Sequence, residues 1–145
     1  MRQQDINLDT INEIYKNASV ALLSISNVLP ETENSELKKE LSFQYDGYKN
    51  LNNEITNYMK EKGYEIKELG GMKKMFMSSG IKMNTALDNT EGHIAQIMVK
   101  GTVMGITELC RLLNNTECTD KKAIELGERL KQLEENYEER LKKFL

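Results

Sequence analysis

The sequence predicts an all-α protein that folds as an up-down-up-down four-helix bundle. Apolar residues recur at spacings of three and four along most of the chain, proline occurs once, and no segment alternates in the way a half-buried strand does. A chain of 145 residues is expected to form a single domain, residues 1–145. Four long amphipathic helices joined mainly by short loops favour an antiparallel bundle.

The first predicted helix begins at Thr10 and ends at Leu29. Thr10 and Glu13 form a TxxE capping box, which is typical of a helix start. Pro30 follows the last apolar position and ends the helix, because the residue before a proline disfavours the helical conformation.

The second predicted helix covers residues 35–62, and Gly63 is expected to end it in the left-handed conformation. A Met-rich segment, MKKMFMSSGIKM at residues 72–83, follows a pair of glycines. Its apolar residues share one face, so it is expected to form an extra short helix before the third long helix. The sequence leaves open whether this segment continues into the next helix or folds back on it.

The stretch HIAQIMVKGTVMGITELCRLLN, residues 93–114, is expected to form the central helix of the protein. At about 100° per residue its polar residues fall on one narrow strip, and nearly all the others are apolar or small. A surface helix carries a single apolar stripe, so this helix is expected to be covered on several sides. Either the short Met-rich helix or a second subunit is expected to cover it.

The fourth predicted helix runs from Thr119 or Asp120 to the C-terminus. Its apolar positions lie close to a heptad repeat. Its acidic residues lie at helical spacings from basic ones, which indicates a solvated face. The acidic residues concerned are Glu134, Glu135, Glu138 and Glu139.

Composition argues against several classes of protein. A net charge of −3, with basic residues spread among acidic ones, argues against nucleic-acid binding. No apolar run reaches about 18 residues, so no membrane span is expected, and MRQQDINLDT at the start lacks the apolar run of a signal peptide. The spacing of Cys110 and Cys118 matches no metal or redox motif, which favours reduced thiols in a cytoplasmic protein.

Histidine content argues against a di-iron site of the kind found in some four-helix bundles. Such a site needs a Glu-x-x-His motif on each of two helices. This chain has one histidine, His93, and the residue three positions before it is Thr90. We therefore predict no metal, no other cofactor and no catalytic residue.

Two polar residues of the central helix are candidates for ligand binding. Glu108 lies at the edge of the apolar arc, where it either pairs with Arg111 or is a buried carboxylate with a raised pKa. In the second case a tyrosine from helix two, such as Tyr48, is its expected partner. His93 either bonds to the capping region of its helix or acts as a lone ligand or base.

Methionines complete the set of candidate residues. Met75, Met98 and Met104 either fill gaps in the core or line an adaptable surface for an apolar ligand or a partner helix. Together with Glu108, His93 and Tyr48 they are the predicted ligand-binding residues.

The C-terminal half of the chain carries a resemblance to known proteins. The run GIKMNTALDNTEGHIAQIMVKGTVMGITELCRLL, followed by a charged helix ending in ERLKKFL, resembles a group of uncharacterised bacterial proteins of ferritin-like, four-helix form. The resemblance is best over residues 80–145. It implies a ferritin-like bundle and carries over no activity and no catalytic residue.

Three hypotheses for the function follow. The first is a non-enzymatic structural or protein-interaction module that forms a homodimer, since symmetric dimers are the commonest oligomers. The second is a binder of a small apolar ligand in the bundle core. The third is a metal protein with a degenerate carboxylate site, which predicts that Glu54 and Glu108 lie clustered inside the bundle.

Overall fold

A computed structural model describes residues 1–67 and 88–145, and this part of the chain is all-helical, as predicted. It contains four α-helices and one short 3-10 helix. They are α1 (Gln3–Val28), the 3-10 helix (Leu29–Glu31), α2 (Ser35–Lys62), α3 (Glu91–Asn115) and α4 (Lys121–Lys142). The short Met-rich helix expected at residues 72–83 lies outside the described residues.

The bounds of α2 are those predicted, and both ends have a clear physical cause. At its start the Asn34 side chain accepts a hydrogen bond from the backbone N–H of Leu37 at 2.9 Å, which satisfies one otherwise unpaired donor. At its end Gly63 has φ 72°, the left-handed conformation that glycine adopts without strain.

Helix α1 begins at Gln3 and not at Thr10, so the predicted capping box is wrong. The Thr10 hydroxyl donates to the Ile6 carbonyl at 2.8 Å and lies 2.8 Å from the Thr116 hydroxyl, which makes it part of the helix interior. The turns of α1 that precede Thr10 are held by hydrogen bonds to residues that are distant in the sequence. The Gln3 amide donates to the Glu117 carbonyl at 3.0 Å, and the Thr119 N–H donates to the Asn7 side chain at 2.9 Å.

The last two helices begin close to the predicted positions. Helix α3 starts at Glu91, and the side chain of Asp88 accepts a hydrogen bond from the Thr90 N–H at 3.0 Å just before it. Helix α4 starts after Asp120, whose carboxylate caps the helix by accepting from the N–H groups of Lys122 and Ala123. It ends at Lys142, short of the C-terminus.

Helix α1 is antiparallel to α3, and α2 is antiparallel to α4. Thr10, near the start of α1, contacts Thr116, just beyond the end of α3. Two ion pairs relate α2 to α4: Glu40 with Arg140 at 2.8 Å, and Glu54 with Arg129 at 2.7 Å. As the residue number rises along α2, from Glu40 to Glu54, the number of the paired arginine on α4 falls, as expected for antiparallel helices.

Helices α2 and α3 run in the same direction, so the predicted up-down-up-down order is wrong and the order is up-down-down-up. The Asn34 amide, at the start of α2, donates to the Glu91 carboxylate, at the start of α3, at 3.1 Å. The end of α2 and the start of α3 therefore lie at opposite ends of the bundle. The prediction rested on helices joined mainly by short loops, and a short loop does not link opposite ends of a bundle.

One hydrophobic cluster, drawn from all four helices, forms the core. Helix α3 packs on α1 and α4, and α2 packs on the same two helices from the other side. The largest fully buried side chains are Ile11, Ile14, Ile25, Leu37, Leu41, Ile55, Met59, Ile94, Leu109, Leu126, Leu130 and Leu141. At about 25 cal/mol per Å² of apolar surface removed from water, this burial is the main stabilising contribution.

Within the two described ranges, no helix is long and apolar enough to cross a membrane. Cys110 and Cys118 are both half-buried and are not joined in a disulfide.

Candidate functional site

Glu108 is an exposed surface residue, which confirms the predicted pairing with Arg111 and shows that the other interpretation, a buried carboxylate, is wrong. Its side chain is 66% exposed and lies 3.3 Å from the guanidinium of Arg111, in the pairing that the sequence offered as the alternative. Met104, one turn earlier, is 69% exposed. Neither residue lines the interior of the bundle.

The other predicted ligand-binding residues fall into different surroundings. His93 is half-buried in the first turn of α3, with its Nδ1 atom 3.9 Å from the carboxylate of Asp88, so it lies against the region that precedes the helix. Met98 and Tyr48 are buried in the core. Met75 lies outside the described residues. The five described candidates therefore divide between core, helix start and outer surface.

The predicted interior cluster of Glu54 and Glu108 is absent, because each side chain is paired at the surface. Glu54 accepts two hydrogen bonds from Arg129, at 3.1 and 2.7 Å. No group of three or more His, Cys, Asp or Glu residues that could hold a metal ion occurs among the residues that the structure describes.

Among the residues that the structure describes, the buried carboxylate is Glu134, on α4. It was predicted to lie on a solvated face, yet its exposed fraction is 2%. Its position follows from the register of the helix, since Leu130 and Tyr137, four residues before and three after it, are also buried. That spacing marks Glu134 as a core position, and it was the sequence feature that could have identified it.

Glu134 packs directly against the backbone of α3 at Gly105. Its two carboxyl oxygens lie 3.0 and 3.1 Å from the position that a Cβ atom on Gly105 would occupy. The Asn17 amide of α1 donates to the carbonyl of the same residue, Gly105, at 3.1 Å. Glycine at this position therefore allows α1, α3 and α4 to bring polar groups together inside the bundle.

A tyrosine and an asparagine of α2 complete this interior polar layer, which we define as Asn17, Tyr48, Asn52, Gly105 and Glu134. The rings of Tyr48 and Tyr137 stack edge to face with centroids 5.2 Å apart. Asn52, on α2, donates to the Ser19 hydroxyl at 3.4 Å. The layer crosses the bundle from α1 and α2 to α3 and α4.

Three oxygen atoms of the interior polar layer have no hydrogen-bond partner among residues 1–67 and 88–145. They are Oδ1 of Asn17, Oδ1 of Asn52 and Oε2 of Glu134. Each unsatisfied buried acceptor costs about 1–3 kcal/mol. All three are acceptors, and an ionised Glu134 side chain is itself acceptor-only.

The ionisation of the layer reflects its burial. Burial raises the pKa of Glu134 to about 8, because an ionised carboxylate would lose its hydration. Burial, reinforced by Glu134 and Tyr137, raises the pKa of Tyr48 well above 10. At neutral pH the layer therefore holds a neutral carboxylic acid beside a neutral phenol, and Glu134 is its proton-exchanging group. A buried acid beside a tyrosine from helix two had been expected, but at Glu108.

A second feature lies on the outer face of α3, which we define as Lys100, Gly101, Val103, Met104 and Glu108. Val103 is 42% exposed and Met104 is 69% exposed, so the rest of the described chain leaves this face of α3 open. A Cβ atom added to Gly101 would meet nothing within 4 Å. The face thus presents apolar side chains beside bare backbone.

No protein-family model, curated protein or solved structure matches this chain.

Proposed function

We propose that the protein is a non-enzymatic interaction module of ferritin-like form that works as a homodimer in the cytoplasm. The order up-down-down-up supports the ferritin-like form, because such bundles use one long crossover connection. The observation that carries the dimer is the outer face of α3, where Met104 is 69% exposed.

A second copy of the chain fits this face because its charges are self-complementary. Lys100 and Glu108 are both exposed and stand four residues before and after Met104, so all three share one side of the helix. In a two-fold interface every contact occurs twice: if one residue contacts a second residue of the partner subunit, the second residue contacts the first in the same way. Two antiparallel α3 helices crossing at Met104 therefore place Lys100 opposite Glu108 of the partner subunit, twice.

Two further features suit close contact between the helices. Gly101 presents backbone with open space in front of it, which lets a second helix approach closely. The Glu108–Arg111 pair is exposed, and exposed pairs contribute only about 0–1 kcal/mol. Glu108 can therefore exchange Arg111 for the lysine of a partner at little cost.

Charge reversal tests this interface. We expect Lys100→Glu and Glu108→Lys each to weaken dimerisation about tenfold, because each creates two like-charge contacts. We expect the double variant K100E/E108K to restore it, since both pairs are re-formed with opposite sign. Sedimentation velocity over a range of protein concentrations measures the dimerisation constant.

The control is Lys38→Glu, the same charge change at an exposed position on α2. It should leave dimerisation unchanged. A wild-type chain that remains monomeric at every concentration would refute the proposed function. A double variant that dimerises no better than either single variant would refute the antiparallel arrangement.

A further inference from the structure

The contact between Glu134 and Gly105 has properties that simple helix packing does not require. An ionisable side chain with 2% exposure lies on the backbone of the neighbouring helix, and one of its oxygens has no partner. A leucine or methionine at this position would pack without these costs. We propose that Glu134 is a protonation switch: the neutral acid allows α3 and α4 to pack at Gly105, and loss of its proton loosens that packing.

The geometry explains why the charged form does not fit. The carboxyl oxygens lie 3.0 and 3.1 Å from the position of a Cβ on Gly105, so no layer of water separates them from α3. A carboxylate needs several hydrogen-bond donors when it leaves water. Asn17, the neighbouring amide, already donates to the Gly105 carbonyl and presents an unpaired oxygen.

None of the packed elements brings a positive charge to Glu134 within the described part of the chain. Helix α1 contributes the neutral Asn17 and α3 contributes the backbone of Gly105. Helix α2 contributes Tyr48, whose ionisation would repel a carboxylate. On α4 itself Tyr137 is three residues away, and Lys131 is 3.1 Å from Glu128 at the surface.

Burial alone accounts for the direction of the shift, and it raises the pKa of Glu134 to about 8. An opened state exposes the carboxyl group to water, where its pKa returns to the ordinary value of 4.5. The opening equilibrium is therefore linked to pH between these two values. The opening constant rises by up to about tenfold per pH unit in that window and is flat above it.

The first test measures the ionisation directly. In the unmodified chain labelled with ¹³C at the glutamate side-chain carboxyls, we expect one resonance to titrate near about pH 8 and to be lost in Glu134→Gln. If the Glu134 resonance titrates near its ordinary value, the proposal is overturned. This measurement stands even if a variant fails to fold, because it uses the wild-type protein.

The second test follows local opening by hydrogen–deuterium exchange from about pH 6 to about pH 9, corrected for intrinsic exchange. We expect protection of the amides around Gly105 and Glu134 to fall as the pH rises, and to become independent of pH in Glu134→Gln. The amides of residues 55–62, at the end of α2 and outside the interior polar layer, serve as the internal reference. The same pH response in wild type and Glu134→Gln would overturn the proposal. Neither test depends on dimer formation.

Discussion

Asp120 shows how one residue can join distant parts of the chain. Its carboxylate accepts hydrogen bonds from the hydroxyls of Tyr58 at 2.6 Å and Tyr64 at 2.8 Å. It also caps α4. Burial raises its pKa, but the bonds from the two tyrosines and the cap outweigh burial, and the pKa lies below the ordinary value. The end of α2 is thereby fastened to the start of α4.

Tyr58→Phe should destabilise the fold by about 1–2 kcal/mol, because hydrogen bonds to charged groups contribute more than neutral ones. Tyr45→Phe, at a half-buried position on the same helix, is the matched control and should change stability by less than about 0.5 kcal/mol. Urea unfolding of the three proteins measures the difference. Equal stability of the two variants would mean that the Tyr58–Asp120 bond adds nothing to the fold.

Glutamates in this chain cannot be assigned to core or surface by residue type alone. Glu108 and Glu134 both border apolar positions in the sequence, yet one is exposed and the other buried. Glu134 follows the core spacing of Leu130 and Tyr137, whereas Glu108 has Arg111 within reach. The sequence showed these spacings, but not that Gly105 on another helix would leave room for a carboxyl group.

At the scale of elements, close packing depends on glycines at helix crossings. A Cβ on Gly127, in α4, would lie 2.8 Å from Ile14 Cδ1 of α1 and 3.0 Å from Leu113 Cδ2 of α3. Gly127 therefore sets how near α4 lies to both helices. Gly101, in α3, is the opposite case, since a Cβ there would meet nothing within 4 Å.

The two glycines predict opposite effects of the same substitution. Gly101→Ala should stabilise the protein by about 0.5–1 kcal/mol, because alanine is the better helix former. Gly127→Ala gains the same propensity but overpacks the core, which costs about 1–3 kcal/mol, so the net effect should be a loss. Both are measured by thermal unfolding at one low protein concentration in the Lys100→Glu background, in which association is weakened. A stabilising Gly127→Ala would show that the side chains of α1 and α3 move to admit the added methyl group without loss of stability.

Local patterns predicted the elements better than their arrangement. The bounds of α2 follow from the apolar stripe and from Gly63, which act within one helix. The start of α1 depends on bonds from Gln3 and Asn7 to the loop before α4, which no local pattern reveals. The parallel course of α2 and α3, which the contact of Asn34 with Glu91 reveals, is equally invisible in the sequence.

The stability of the whole molecule depends on pH through carboxyl groups whose pKa values are shifted in opposite directions by folding. The pKa values of Asp120 and Glu40 are lowered: burial raises each, but hydrogen bonds outweigh it, from Tyr58 and Tyr64 to Asp120 and from Arg140 to Glu40. Their contribution to stability is present above the ordinary carboxyl range and is lost as the pH falls through the folded-state values. Glu134 acts in the opposite sense, because its folded-state pKa is raised to about 8.

These opposing groups predict a stability maximum on the acid side of neutrality. From the ordinary pKa of 4.5 up to about 8, the unfolded chain releases the Glu134 proton and the folded chain keeps it, so stability falls as the pH rises. The slope is about 1.4 kcal/mol per pH unit, and the total is on the order of 5 kcal/mol. Above about 8 the contribution is flat.

Chemical unfolding at a fixed protein concentration over a series of pH values measures this profile. We expect the free energy of unfolding of the wild type to be greatest near about pH 5 and to decline through neutrality. In Glu134→Gln the decline should vanish, while the loss of stability in acid, which belongs to Asp120 and Glu40, should remain. A decline of equal slope in both proteins would show that a group other than Glu134 causes the pH dependence of stability.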